Sequence, residues 1–134
     1  MTGQFRKKQH GFTLIELIIV CSMILILTGV MLPIYKIHVL HANEAVLKED
    51  LYNMRTAIDQ YTQDKGKAPQ ALDDIVTAGY LHSIPKDPFT HASDTWQTVM
   101  EDATMSADQS EPGISDVKSG SSAVSTEGTP YSEW

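Results

Sequence analysis

From Phe12 to Leu32 the chain is apolar almost without break, with Thr13, Ser22 and Thr28 as small polar interruptions and Glu16 as the one charge. These 21 residues, at about 1.5 Å per helical residue, match the roughly 30 Å hydrocarbon core of a bilayer. A helix satisfies its own backbone hydrogen bonds in lipid, so the stretch is predicted helical. The pattern then changes without stopping. Leu40, Leu47, Met54 and Tyr61 lie seven apart, with Leu51 and Ile58 between them, which is a one-sided helical stripe. Lys48, Glu49, Asn53, Arg55, Asp59 and Gln60 fall on other faces. One long helix from Phe12 to about Gln63 is therefore predicted, apolar all round in its first half and amphipathic in its second. Glu44 interrupts the stripe and only about three heptads are present, so a free coiled coil is disfavoured. The stripe reads as the core face of a C-terminal domain.

Gly66 and Pro69 end the helix. Residues 71–78 read as a short helix with Leu72, Ile75 and Val76 on one side and Gly79 as its stop. A Pro-bounded loop follows, through Pro85 and Pro88 to Phe89. Residues 95–100 and 113–119 are strand candidates, the second packing Ile114 and Val117. The acidic, polar stretch 101–112 and the Ser/Gly/Thr-rich stretch 119–129 read as loops. The aromatic end, Tyr131 to Trp134, is expected to fold back on the body. The predicted fold class is α+β, a long helix packed on a small antiparallel sheet of two or three strands. The expected divisions are a leader at 1–11, a membrane helix at 12–33, its amphipathic continuation at 34–63 and a small globular region at 64–134.

Charge sets orientation and removes some function classes. Arg6, Lys7 and Lys8 precede the apolar span, with no such cluster after it, so the N-terminus is expected to stay cytoplasmic. Losing those three positive charges with the leader takes the net charge from −7 to −10. An acidic body argues against nucleic-acid binding through a basic surface. The apolar run exceeds a secretory h-region and lacks a small-x-small cleavage site at its far end. Cys21 is the sole cysteine, so no intrachain disulfide holds the exported body, and it reads as an apolar filler.

Glu16 is the anomaly. A carboxylate in a membrane helix costs roughly 2.5–3.5 kcal/mol on insertion scales and needs a partner. One reading leaves it near the headgroups, partly solvated. The sharper reading cuts the chain after Gly11, so that Phe12 carries a new α-amine; in a helical stack the carboxylate of one subunit can pair with the amine of its neighbour. Pro33 either marks the membrane exit or loosens the helix there, with Gly29 four residues earlier adding to the weakness.

Gly11-Phe12-Thr13-Leu14-Ile15-Glu16-Leu17 resembles the class III signal of the type IV pilin-like family. The run from Lys67 through Gly79-Tyr80-Leu81 to Asp87-Pro88-Phe89 is similar to the region after the long helix in the major (G-type) pseudopilins of type II secretion. The resemblance covers residues 3–35 most closely, continues to about residue 90, and is partial beyond. It implies a type IV pilin-like fold, cleavage after Gly11 by a prepilin peptidase, N-methylation of Phe12, a role for Glu16 in methylation and assembly, and partial unwinding near Pro33 in the filament. It implies self-assembly into a periplasmic helical filament that drives protein export, with minor pseudopilins and an inner-membrane platform with a cytoplasmic ATPase as partners. The location implied is the bacterial inner membrane, single-pass, with the C-terminal body periplasmic. A surface pilin for adhesion, motility or DNA uptake is the near rival, although pilins usually carry a C-terminal disulfide. A membrane-tethered monomeric binding domain is the distant rival and leaves Glu16 unexplained.

The same resemblance implies a calcium-holding C-terminal loop. Asp116, Glu127 and Glu133 are the candidate ligands, but Ser121 and Ser122 stand where a carboxylate is expected, and calcium takes six to eight oxygens. Beyond this possible calcium no cofactor is expected. His38 and His41 are three apart with no third ligand nearby, too few for zinc. Asp73 and Asp74 read as solvated surface. No phosphate loop, Cys-x-x-Cys or His-Glu-x-x-His is present, and catalysis is not expected.

Overall fold

The computed structural model describes residues 11–104 and 106–134. Two compact units divide between His38 and Val39. One helix, α1, spans Leu14–Lys65. It starts two residues later than the apolar run because Thr13 caps it. The Thr13 hydroxyl accepts the Glu16 N–H at 3.2 Å, and the Thr13 carbonyl accepts the Leu17 N–H at 3.1 Å. Thr-x-x-Glu is the sequence form of a capping box. The helix ends where Gly66 returns its N–H to the Thr62 carbonyl at 2.9 Å. Pro33 lies inside α1, which remains helical on both sides of it. Pro33 has no N–H for the Gly29 carbonyl four residues back, and the loosening expected at this place is not a break in the isolated chain.

In the first unit the large apolar side chains from Phe12 to Ile37 are exposed. The two hydroxyls inside the helical part of the span donate to their own helix, Ser22 to the Ile18 carbonyl and Thr28 to the Ile24 carbonyl, both at 2.7 Å. Neither of these two hydroxyls seeks water, as a lipid or helix-packed setting requires.

In the second unit the stripe is a core face. Leu47, Leu51, Met54, Ala57 and Ile58 of α1 pack with Ile75, Trp96, Ile114, Val117 and Tyr131. Each large apolar side chain so buried contributes about 1.5–3 kcal/mol before entropy is counted. The short helix α2, Leu72–Thr77, contributes Ile75. Its start is held by Asp74, whose carboxylate accepts the N–H groups of Gln70 and Ala71; this carboxylate is a cap rather than plain surface. Its end is a Schellman turn, with Tyr80 N–H on the Ile75 carbonyl and Gly79 N–H on the Val76 carbonyl. Gly79 takes φ +86°, a left-handed conformation that costs glycine little.

Strands β1, Gln97–Met100, and β2, Ile114–Lys118, form an antiparallel pair. The register jumps between Val99 and Met100. Ser115 is the extra residue, and its hydroxyl bonds the Val99 carbonyl at 3.1 Å. That bulge explains how Ile114 and Val117, three apart, both reach the core when strict alternation would turn one outward. All four β1 residues are exposed. The anchor is Trp96, just before the strand, which is buried and donates to the Pro85 carbonyl at 2.8 Å.

Asp87 ties the Pro-bounded loop to the end of β2. It is fully buried; one oxygen accepts the Phe89 and Thr90 N–H groups, and the other accepts the Ser119 hydroxyl at 2.5 Å. Past Ser119 the chain runs close under Thr95. A Cβ added at Gly120 would fall on the Thr95 backbone carbonyl. Gly120→Ala is therefore expected to cost about 1–3 kcal/mol through backbone displacement, read as a lowered thermal midpoint of the full chain in detergent.

Candidate functional site

Two places carry the functional candidates, one in each unit. In the first, Gly11 and Phe12 precede the helix, and Phe12 is 83% exposed. Glu16 is exposed in the first turn of α1. The capping by Thr13 makes Glu16 the third helical residue, where the positive end of the helix dipole favours a carboxylate. The sequence signal for this is Thr13-x-x-Glu16, and it gives a local reason for an acid at this position. The leader's Arg6, Lys7 and Lys8 lie outside the described residues.

In the second unit, three polar side chains of α1 reach the C-terminal segment. Glu44 is buried at 5% exposure. One of its oxygens accepts the Thr126 N–H at 2.7 Å and the Tyr131 hydroxyl at 2.8 Å, and the other accepts the Thr126 hydroxyl at 2.7 Å. Lys48 meets Glu127 at 3.0 Å and sits 4.5 Å from the centre of the Trp134 ring. Arg55 meets Asp116 Oδ1 at 2.6 Å, the Val117 carbonyl at 2.9 Å and the backbone oxygen of Trp134 at 2.7 Å. Tyr131 completes the clasp. It is 1% exposed, stacks on Phe89 at 3.9 Å and meets Trp134 edge-on at 5.1 Å. The aromatic end does fold back, on a short 3-10 turn at Tyr131–Glu133.

The titration of this clasp follows from its partners. Burial pushes the Glu44 carboxyl up, but the hydrogen bonds from the Thr126 hydroxyl, the Thr126 backbone and Tyr131, with His41 3.5 Å away, outweigh it and hold Glu44 below its ordinary 4.5. Burial, then the bond to Glu44, pushes the Tyr131 hydroxyl up to about 12.

Along the sequence Glu44 is a break in the stripe, and Lys48 and Arg55 fall on other faces of the helix. A lone acid at a core-facing position carries no local mark of its partners, which lie 82 and 87 residues away. The candidate calcium ligands do not come together. Asp116 is engaged by Arg55 and Glu127 by Lys48, while Glu133 is exposed. Among the described residues no three His, Cys, Asp or Glu side chains are grouped to hold a metal. The residues present do not fit a calcium ion.

Comparison with known proteins supplies three findings. Residues 6–32 match the prokaryotic N-terminal methylation motif. The chain is 26% identical over 103 aligned positions to the type II secretion system core protein G of Pectobacterium carotovorum subsp. carotovorum, covering 65% of this chain and 66% of that protein. Proteins of the same name from Aeromonas hydrophila and Klebsiella michiganensis are each 26% identical over 100 positions, covering 63% of this chain and 70% of theirs. The matched part thus spans about two thirds of these relatives. No solved structure matches significantly.

The clasp has a pH signature. Because the folded Glu44 carboxyl lies below its ordinary value, its contribution is fully present above pH 4.5 and is lost as pH falls through the lower folded value. Melting of the full chain in detergent is expected to show this acid loss, and Glu44→Gln is expected to reduce it. Glu44→Ala strands the Thr126 and Tyr131 donors and is expected to cost about 2–4 kcal/mol at neutral pH.

Proposed function

We propose that this chain, a pilin-like protein similar to the type II secretion core protein G, is the structural subunit of a periplasmic filament that drives protein export. The observation that carries this reading is a helix surface apolar on every side from Phe12 to Leu32, its large side chains all exposed in the single chain, with one carboxylate in its first turn. Lipid covers such a surface before assembly, and the same helices of neighbouring subunits cover it afterwards. An interface repeated head to tail without closure builds a helical filament.

The leader stays in the cytoplasm, a prepilin peptidase cuts after Gly11, and Phe12 becomes the N-methylated first residue. Glu16 then accepts the Phe12 amine of an adjacent subunit, which removes an otherwise unpaired charge from an apolar core. Pro33, with no N–H for Gly29, is where the helix yields when subunits pack. The C-terminal body stays periplasmic, and the subunit itself makes and breaks no bonds. Copies of this chain, minor pseudopilins and an inner-membrane platform with its cytoplasmic ATPase are the partners.

Two measurements test this. Intact-mass and N-terminal analysis of the protein from its native membrane is expected to give a chain beginning at Phe12 and heavier by one methyl substitution. An uncut chain, or one cut beyond Leu32, sinks the assembly reading. Glu16→Ala is expected to insert normally and to lower the yield of filaments recovered from the periplasm by about tenfold or more. Wild-type filament yield from that variant leaves a simple anchor instead.

A further inference from the structure

The oxygens around Arg55 are of the kind a hard divalent cation takes. They are a carboxylate oxygen of Asp116 and two backbone oxygens, of Val117 and Trp134, brought together from β2 and from the end of the chain. Calcium sites are built from such oxygens. Here the guanidinium already meets all three, at 2.6–2.9 Å. Its planar fork offers donors in several directions at once, which an ammonium cannot match. One helical face supplies a second fixed cation seven residues earlier, about 10 Å along the axis. That is Lys48, on Glu127 and over the Trp134 ring.

Ser121 and Ser122 carry no charge, and the two acids of this region nearest the cations, Asp116 and Glu127, are already engaged by Arg55 and Lys48. A divalent ion placed on the Arg55 oxygens would meet a permanent positive charge within contact distance and a single side-chain carboxylate, Asp116. Repulsion from the guanidinium and the thin ligand set both oppose it.

We propose that Arg55, seconded by Lys48, is a built-in cation that organises the C-terminal segment in the place of a metal ion, so that this subunit folds independently of calcium. Segments 116–117, 126–127 and 131–134 are then held from one helix by Arg55, Lys48 and Glu44, and the order of the loop is written into α1 rather than supplied by the medium. The inference concerns the fold of the subunit alone. Melting reads it, whereas filament yield reads the assembly role, so either can fail without the other.

The test is thermal melting of the full chain in detergent micelles, followed by tryptophan fluorescence, in excess EGTA and in millimolar calcium. The wild-type midpoint is expected to be the same in both. In EGTA, Arg55→Met is expected to melt about 4–8 °C lower. Arg55→Lys, which keeps the charge but not the fork, is expected to fall between them, and it serves where Arg55→Met does not fold. A wild-type midpoint raised by calcium by several degrees overturns the proposal. So does an Arg55→Met or Arg55→Lys chain that melts with the wild type.

Discussion

A helix face that is apolar all the way round cannot stay in water. Everything else in this protein is arranged about that constraint. The first half of α1 must be covered by lipid or by other helices, so its hydroxyls bond inward to their own backbone, as Ser22 and Thr28 do. Its single acid is tolerated where the cost is least. In the first turn the helix dipole and the Thr13 cap favour the charge, and the membrane edge is near. In the assembly proposed above, the uncompensated remainder is what a partner in trans relieves. A subunit with no such residual cost would have less to gain from a neighbour.

The second half of the same helix works under the opposite rule. It may bury only one stripe, and it uses the rest to hold a segment that is poor in apolar residues. From Ser119 to Pro130 the largest apolar side chain is Val124, which is 60% exposed. Burial cannot order such a stretch. Order comes from polar groups that are each satisfied: the buried Glu44 by three donors, the buried Asp87 by two backbone N–H groups and Ser119, and the half-buried Arg55 by three acceptors. These bonds are worth little net when made, but leaving one buried group unpaired costs about 1–3 kcal/mol. The C-terminal segment is therefore specified by the penalty for misplacing it. Tyr131 is where the two principles meet, its ring in the core and its hydroxyl on Glu44.

This division also separates what could be read along the chain from what could not. The long helix, its core stripe, the short helix with its Gly79 stop, the two strands and the returning aromatic end all follow from periodicity and turn chemistry, which are local. The sheet bulge did not follow, because Ser115 looks like any strand residue until its partner's register is known. Nor did the clasp. Glu44 at a core position looks like an error, and Arg55 and Lys48 look like solvent, because the groups that satisfy them lie 61 to 87 residues away. The motif around Gly11, Phe12 and Glu16 was legible because its pattern is sequential: a glycine, a phenylalanine, an acid four residues on and an unbroken apolar run. The candidate calcium set of Asp116, Glu127 and Glu133 is held apart in the structure for the converse reason. Acids close in sequence suggest a metal only until the cations facing them are seen.

The two halves of α1 thus impose different tolerances on the sequence. On the apolar half a substitution is judged by what a neighbouring subunit or lipid tail can pack against, so conservative exchange of Leu, Ile, Val or Met changes little in a single chain. On the clasp half the same helix carries charges whose partners are fixed within the subunit. There, exchanging Arg for Lys preserves the net charge but reduces the number of oxygens that can be reached. A charge-conserving change at position 55 is then more disruptive than an apolar exchange at position 25, although composition alone would rank both as conservative. The difference follows from directionality. Dispersion and burial are indifferent to the angle of approach, whereas a fork of hydrogen bonds to three separate oxygens is not.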